Sequence, residues 1–170
     1  MILQIDDWKF EIDMERTMAY SAGEAAEHCD CAYCRNFYAT VDAECPDLRP
    51  FLAQFGLDIE APDELMPYDV AGDMHYDGVY MVCGRILHVG QKPLLNVGCL
   101  TIEAREYEAG LHINHSCPQP CFALDVGMVI LPWVLDEPMK DVLSTANEPS
   151  FLKKMWDKLL SKLQKGNITS

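Results

Sequence analysis

Cys121-Phe122-Ala123-Leu124-Asp125-Val126-Gly127-Met128-Val129-Ile130-Leu131 is the stretch on which the fold turns. Phe122, Leu124, Val126, Met128 and Ile130 recur at every second position, the period of a strand and not of a helix. Upstream the same alternation returns in Val79/Met81/Cys83 and in Leu100/Ile102/Ala104. The pattern predicts strands over 66–71, 78–89, 95–107, 110–116 and 121–131. Gly72, Gly90, Gly110 and the run Cys117-Pro118-Gln119-Pro120-Cys121 punctuate them. Strands that follow one another through short turns, with no helix between, predict an antiparallel sheet.

The first half adds a hairpin and helices. In residues 2–13, Trp8, Phe10 and Ile12 alternate with Lys9, Glu11 and Asp13 after an Asp6-Asp7 turn. Asp13 is placed to cap a short helix through Met14, Met18 and Ala22 that ends near Gly23. Cys34, Phe37, Tyr38, Val41 and Cys45 then fall on one face of a helix, with Asp30 as its expected N-cap and Pro46 as its stop. A further helix starts near Asp47, tolerates Pro50 in its first turn, turns Phe51, Leu52 and Phe55 inward and ends before Gly56. The fold class expected is α+β: an antiparallel sheet with helices packed on one face and a C-terminal amphipathic helix. Residues 1–149 form the single α+β domain and residues 150–170 the basic helix and tail.

With 170 residues, 49% of them hydrophobic, the chain can bury a core without metal or disulfides. Its net charge of −14 repels phosphate backbones and argues against nucleic acid as a partner. No basic stretch leading into an apolar run opens the sequence, and no apolar run reaches membrane-spanning length, so a cytoplasmic location is expected. In that compartment the eight cysteines are reduced thiols or metal ligands.

Three of them crowd into His28-Cys29-Asp30-Cys31-Ala32-Tyr33-Cys34, just where a helix begins. Thiolates are the usual ligands of structural zinc, and the free N–H groups of a helix start favour the thiolate form. Cys29, Cys31 and Cys34 can turn toward one ion, with His115, Cys117 or Cys121 as the source of a fourth ligand. Cys45 lies about 16 Å along an intact helix from Cys34 and is too far. A redox reading takes Cys31-Ala32-Tyr33-Cys34 as a Cys-x-x-Cys motif, although Asp30 is expected to hold the thiol's pKa up. Packing alone is the competing account, because reduced cysteine behaves as a small hydrophobe. His75, with Asp73 and Asp77 around it and Gly72 and Gly78 flanking them, reads as an exposed acidic turn.

Residues 29–38, taken with Leu131-Pro132-Trp133-Val134-Leu135-Asp136-Glu137-Pro138, resemble a group of small bacterial proteins of unknown function. The resemblance implies no activity, cofactor or catalytic residue.

The tail supplies a second feature. Phe151, Leu152, Met155, Trp156, Leu159, Leu160 and Leu163 form a wide apolar helix face, flanked by Lys153, Lys154, Lys158, Lys162 and Lys165. Five lysines against Asp157 give residues 150–170 a net +4, which leaves −18 on the rest (−14 in all, less +4). Such a helix packs on its own acidic body, docks on a protein partner or a second copy, or lies on an anionic membrane surface. No Gly-rich phosphate loop, nucleophile elbow or catalytic constellation is present in the sequence. The reading is a non-catalytic cytosolic binding or interaction protein. The alternatives are a zinc-binding protein built on Cys29, Cys31 and Cys34, and a thiol oxidoreductase.

Overall fold

In the computed structural model the described residues are 1–23, 29–70, 73–98, 100–106 and 116–139. The N-terminal alternation closes into the expected hairpin: β1 (Ile2–Ile5) pairs antiparallel with β2 (Trp8–Ile12), burying Trp8, Phe10 and Ile12 and exposing Lys9 and Glu11. Asp13 caps α1 (Met14–Ala22), its carboxylate accepting the Arg16 N–H at 3.1 Å. Next come α2 (Ala32–Glu44) and α3 (Leu48–Ala53), the latter with Pro50 in its first turn and Gly56 in the left-handed region (φ 81°) shortly after it. Five more strands follow: β3 (Glu64–Val70), β4 (Asp73–His88), β5 (Leu95–Val97), β6 (Leu100–Glu106) and β7 (Cys121–Leu131). Together they make one antiparallel sheet in the order β1-β2-β4-β7-β6-β5, with β3 also paired to β4. The architecture is α+β.

β4 is its axis. β7 runs along one edge; the opposite edge is shared by β3, which pairs the early part, and β2, which pairs the end. Between these two partners the edge of β4 is satisfied by other groups. The Met81 N–H donates to Asp63 Oδ2 at 2.7 Å, and the Cys83 N–H to Thr17 Oγ1 at 3.1 Å. The Cys83 carbonyl accepts the Asp13 N–H at 2.9 Å. Tyr20 of α1 donates its hydroxyl to the other Asp63 oxygen. Asp63→Ala is therefore expected to orphan the buried Met81 N–H and to cost about 2 kcal/mol. The check is the urea midpoint, with Asp63→Asn, which keeps an acceptor, recovering most of the loss.

One face of the sheet carries the aromatic core. Phe37 of α2 meets Tyr76 at 5.3 Å between ring centroids, and Phe55, just past α3, meets Phe10 at 5.4 Å and Phe122 at 6.4 Å. Thus α2 and α3 cover one face, as expected, but α1 stands at the β4 edge. Its Tyr20 reaches the other face, against Val79, Met81, Cys83, Cys117, Cys121 and Ala123. β4 is buried on both sides there, so Tyr80 and Val82 are as enclosed as their neighbours. Among the described residues no helix is long and apolar enough to cross a membrane.

Three expectations need correction. β7 does not keep one apolar face: its register against β4 slips between Tyr76 and Gly78, and Met128 takes a positive φ of 63°. This bulge reverses the phase, so Val129 and Leu131 are buried while Met128 and Ile130 are exposed. Residues 73–77 are not an acidic turn but the start of β4. His75 is buried against the Tyr68 ring (5.4 Å), and Asp77 Oδ1 accepts the Met128 N–H at 2.9 Å. The single strand expected over 95–107 is two, β5 and β6, folded back on each other beyond Gly98, whose φ of 62° suits the turn. The strand expected over 110–116 falls mostly, and the C-terminal helix entirely, outside the described residues.

Candidate metal centre

Cys29 and Cys31 precede α2, and Cys34 lies in its first turn. Their three sulfurs all lie within 4.8 Å of one another. Four sulfurs around a zinc ion at about 2.3 Å each would stand about 3.8 Å apart, so a small closing motion suffices. Cys34 is buried at 5% exposure, whereas Cys29 and Cys31 are exposed. Packing thus accounts for Cys34 and leaves the other two unexplained.

The helix cap is Cys31 in extended backbone (φ −72°, ψ 158°), not Asp30. Asp30 instead points into solvent, its side chain 93% exposed, with a carboxylate oxygen 3.6 Å from the Arg35 guanidinium. It therefore does not raise the Cys31 thiol. Partial burial works against ionisation of Cys31, but the Cys34 N–H, the neighbouring Cys29 and Cys34 thiols and the Tyr33 N–H outweigh it, and the pKa falls below the ordinary thiol value. Cys34 moves the opposite way, raised first by burial and then by its Cys31 and Cys29 neighbours. An exposed thiol with a lowered pKa beside two further sulfurs is a donor set for a soft or borderline cation.

What holds this helix start in place is the segment that leaves β7. Asn36, fully buried, donates from Nδ2 to the Pro132 carbonyl (3.0 Å) and the Tyr76 hydroxyl (3.2 Å) and accepts the Val134 N–H at 2.9 Å. Tyr33 meets the Trp133 ring edge-on at 5.7 Å, and the Trp133 Nε1–H donates to the Glu137 carbonyl at 2.8 Å. Arg35 pairs with the Glu137 carboxylate. Residues 29–38 and 131–138, far apart in sequence, are joined here. Trp133 is half-buried at this junction. No protein-family model, curated protein or solved structure matches this chain.

Cys117 and Cys121 do not join the three-thiol group. They lie beside Cys83, where β7 starts, whereas α2 begins over the end of β7 that leads to Pro132. The expected Pro-Gln-Pro connection does bring those two together. Cys45 closes the far end of α2. His115 and the lysine-flanked apolar residues from Phe151 to Leu163 lie outside the described residues, as does His28. Asn36 was missed by sequence reasoning. Its signal was a poor helix former one residue before Phe37 and four before Thr40, both of which are also buried.

Proposed function

We propose that this protein binds one zinc ion through Cys29, Cys31 and Cys34 and that the ion has a structural, non-catalytic role, fixing the start of α2 against residues 131–138. The observation that supports the reading is the convergence of three sulfurs, two of them exposed at a helix start where packing gives them no reason to be. The fourth position is taken by water, by a residue beyond those described or by a partner's ligand. A reducing cytoplasm suits such a site.

Protein purified without chelator is expected to carry one zinc per chain by elemental analysis. Cys31→Ser and Cys34→Ser are each expected to reduce that to background, while Cys45→Ser leaves it unchanged. Less than about half an equivalent in the wild type would reject a tight structural site.

A second reading, contact through the basic tail, rests on the charge division between residues 150–170 and the rest. In that reading, deleting residues 150–170 changes the oligomeric state or abolishes binding to anionic vesicles. Neither effect would remove its support.

A further inference from the structure

On the sheet face turned away from α2 and α3 there is a second, separate group of thiols. Cys83 of β4 and Cys121 of β7 stand directly opposite each other in the antiparallel pairing. Cys117, on the connection into β7, brings its sulfur to 3.6 Å from that of Cys83. All three are buried, packed among Val79, Met81 and Ala123 with Tyr20 and Met66 against them.

The pair is set for joining. A separation of 3.6 Å is van der Waals contact for two sulfurs, and a disulfide of about 2.05 Å asks for an approach of about 1.5 Å. Cys83 is anchored, with its N–H bonded to Thr17 and its carbonyl to Asp13. Cys117 precedes the first hydrogen-bonded residue of β7 and belongs to no strand or helix, so it is the partner able to move. The Cys121 sulfur accepts the Gln119 amide at 3.0 Å and also neighbours the Cys117 thiol, which makes Cys117–Cys121 the competing pair.

We propose that Cys83 and Cys117 form an oxidation site at which a hydroperoxide makes a disulfide, stapling residues 116–120 to β4. The sulfur of Cys117, a residue 5% exposed against none for Cys83, attacks a peroxide oxygen. The O–O bond breaks, a sulfenic acid forms, and the thiol proton leaves with the displaced oxygen as water or alcohol. The Cys83 sulfur then displaces the sulfenic hydroxyl, which departs as water with the Cys83 proton. Two electrons pass from the thiol pair to the peroxide. Burial, followed by the Cys83 neighbour, raises the Cys117 thiol, so this oxidation is slow.

The test uses the full chain and a Cys29→Ser/Cys31→Ser/Cys34→Ser variant, each treated with hydrogen peroxide, alkylated under denaturing conditions and mapped without reduction. In both, a Cys83–Cys117 linked peptide is expected to accumulate, to disappear with a thiol reductant and to persist in Cys121→Ser. The oxidised protein is expected to melt at a higher temperature than the reduced one. A Cys117–Cys121 link in its place, or a Cys83 still fully alkylated after prolonged peroxide treatment of either protein, would overturn the proposal. Because the triple-serine variant lacks the zinc ligands, this result is independent of the metal reading.

Discussion

Asn36→Ala is expected to lose about 3 kcal/mol or more of unfolding free energy, read as a lower urea midpoint at an unchanged m-value. Asn36 has no exposed surface and satisfies three groups: the Pro132 carbonyl, the Tyr76 hydroxyl and the Val134 N–H. Truncation removes three hydrogen bonds, one to the buried Tyr76 hydroxyl and two to part-buried backbone groups. Asn36→Asp separates the contributions, since it keeps an acceptor for Val134 but replaces the donor that Pro132 and Tyr76 use. The consequence reaches the thiols, because Asn36 lies in the same first turns of α2 as Cys34. Zinc affinity at the proposed site is expected to fall with stability in Asn36→Ala, although none of the three cysteines has been touched. A change in the emission of Trp133, which packs on Tyr33 at the same junction, is expected to report the loosening independently of the metal. A variant with wild-type stability would mean that the buried amide carries none of this junction.

Gly84→Ala is expected to be as severe, for a steric reason. Gly84 has a φ of 155°, and an added Cβ would sit far inside contact distance of the Glu11 carbonyl oxygen and 3.1 Å from the Ile12 Cα. Both are backbone atoms of the facing strand and cannot rotate away. Relief requires β2 to part from β4, and β2 carries Phe10 and Ile12, neither with any exposed surface. The expected loss is about 3 to 5 kcal/mol, the range of a disrupted core, with insoluble expression as the extreme outcome. A Gly98→Ala control separates clash from backbone strain: Gly98 also has positive φ (62°), but nothing lies within 4 Å of its added Cβ. Its cost is expected to be about 1 kcal/mol. Thermal melts of the two variants side by side give the comparison, and equal midpoints would rule out the clash.

Where local chemistry decides structure, the sequence was readable. The period-two runs gave the strands, Asp13 gave a helix start, and Pro50 and Gly56 bracketed α3. What could not be read was set by contacts between distant segments. Nothing in residues 121–131 announces the bulge, because Gly127 and Met128 reveal their geometry only against Asp77 of β4. Asp73, His75 and Asp77 looked like a turn because polar side chains beside glycine usually are one; here tertiary pairing with β3 and β7 overrode that tendency. The thiol groups divide likewise. Cys29, Cys31 and Cys34 are close in sequence, so their convergence was legible. Cys83 and Cys117 are brought into contact by the sheet alone, and no spacing rule pairs them.

The bulge in β7 makes chain length at that point matter more than residue type. A strand presents its side chains on alternate sides, so any odd-numbered insertion or deletion exchanges inside for outside from there onward. Met128 is one such odd step, already built in. Were the bulge straightened with every residue kept, Val129 and Leu131 would swing toward water, and the groups of Pro132 and Val134 that Asn36 grips would arrive on the wrong side. The extra residue thus lets the strand bend there while still delivering Pro132 and Val134 to the thiol-bearing helix.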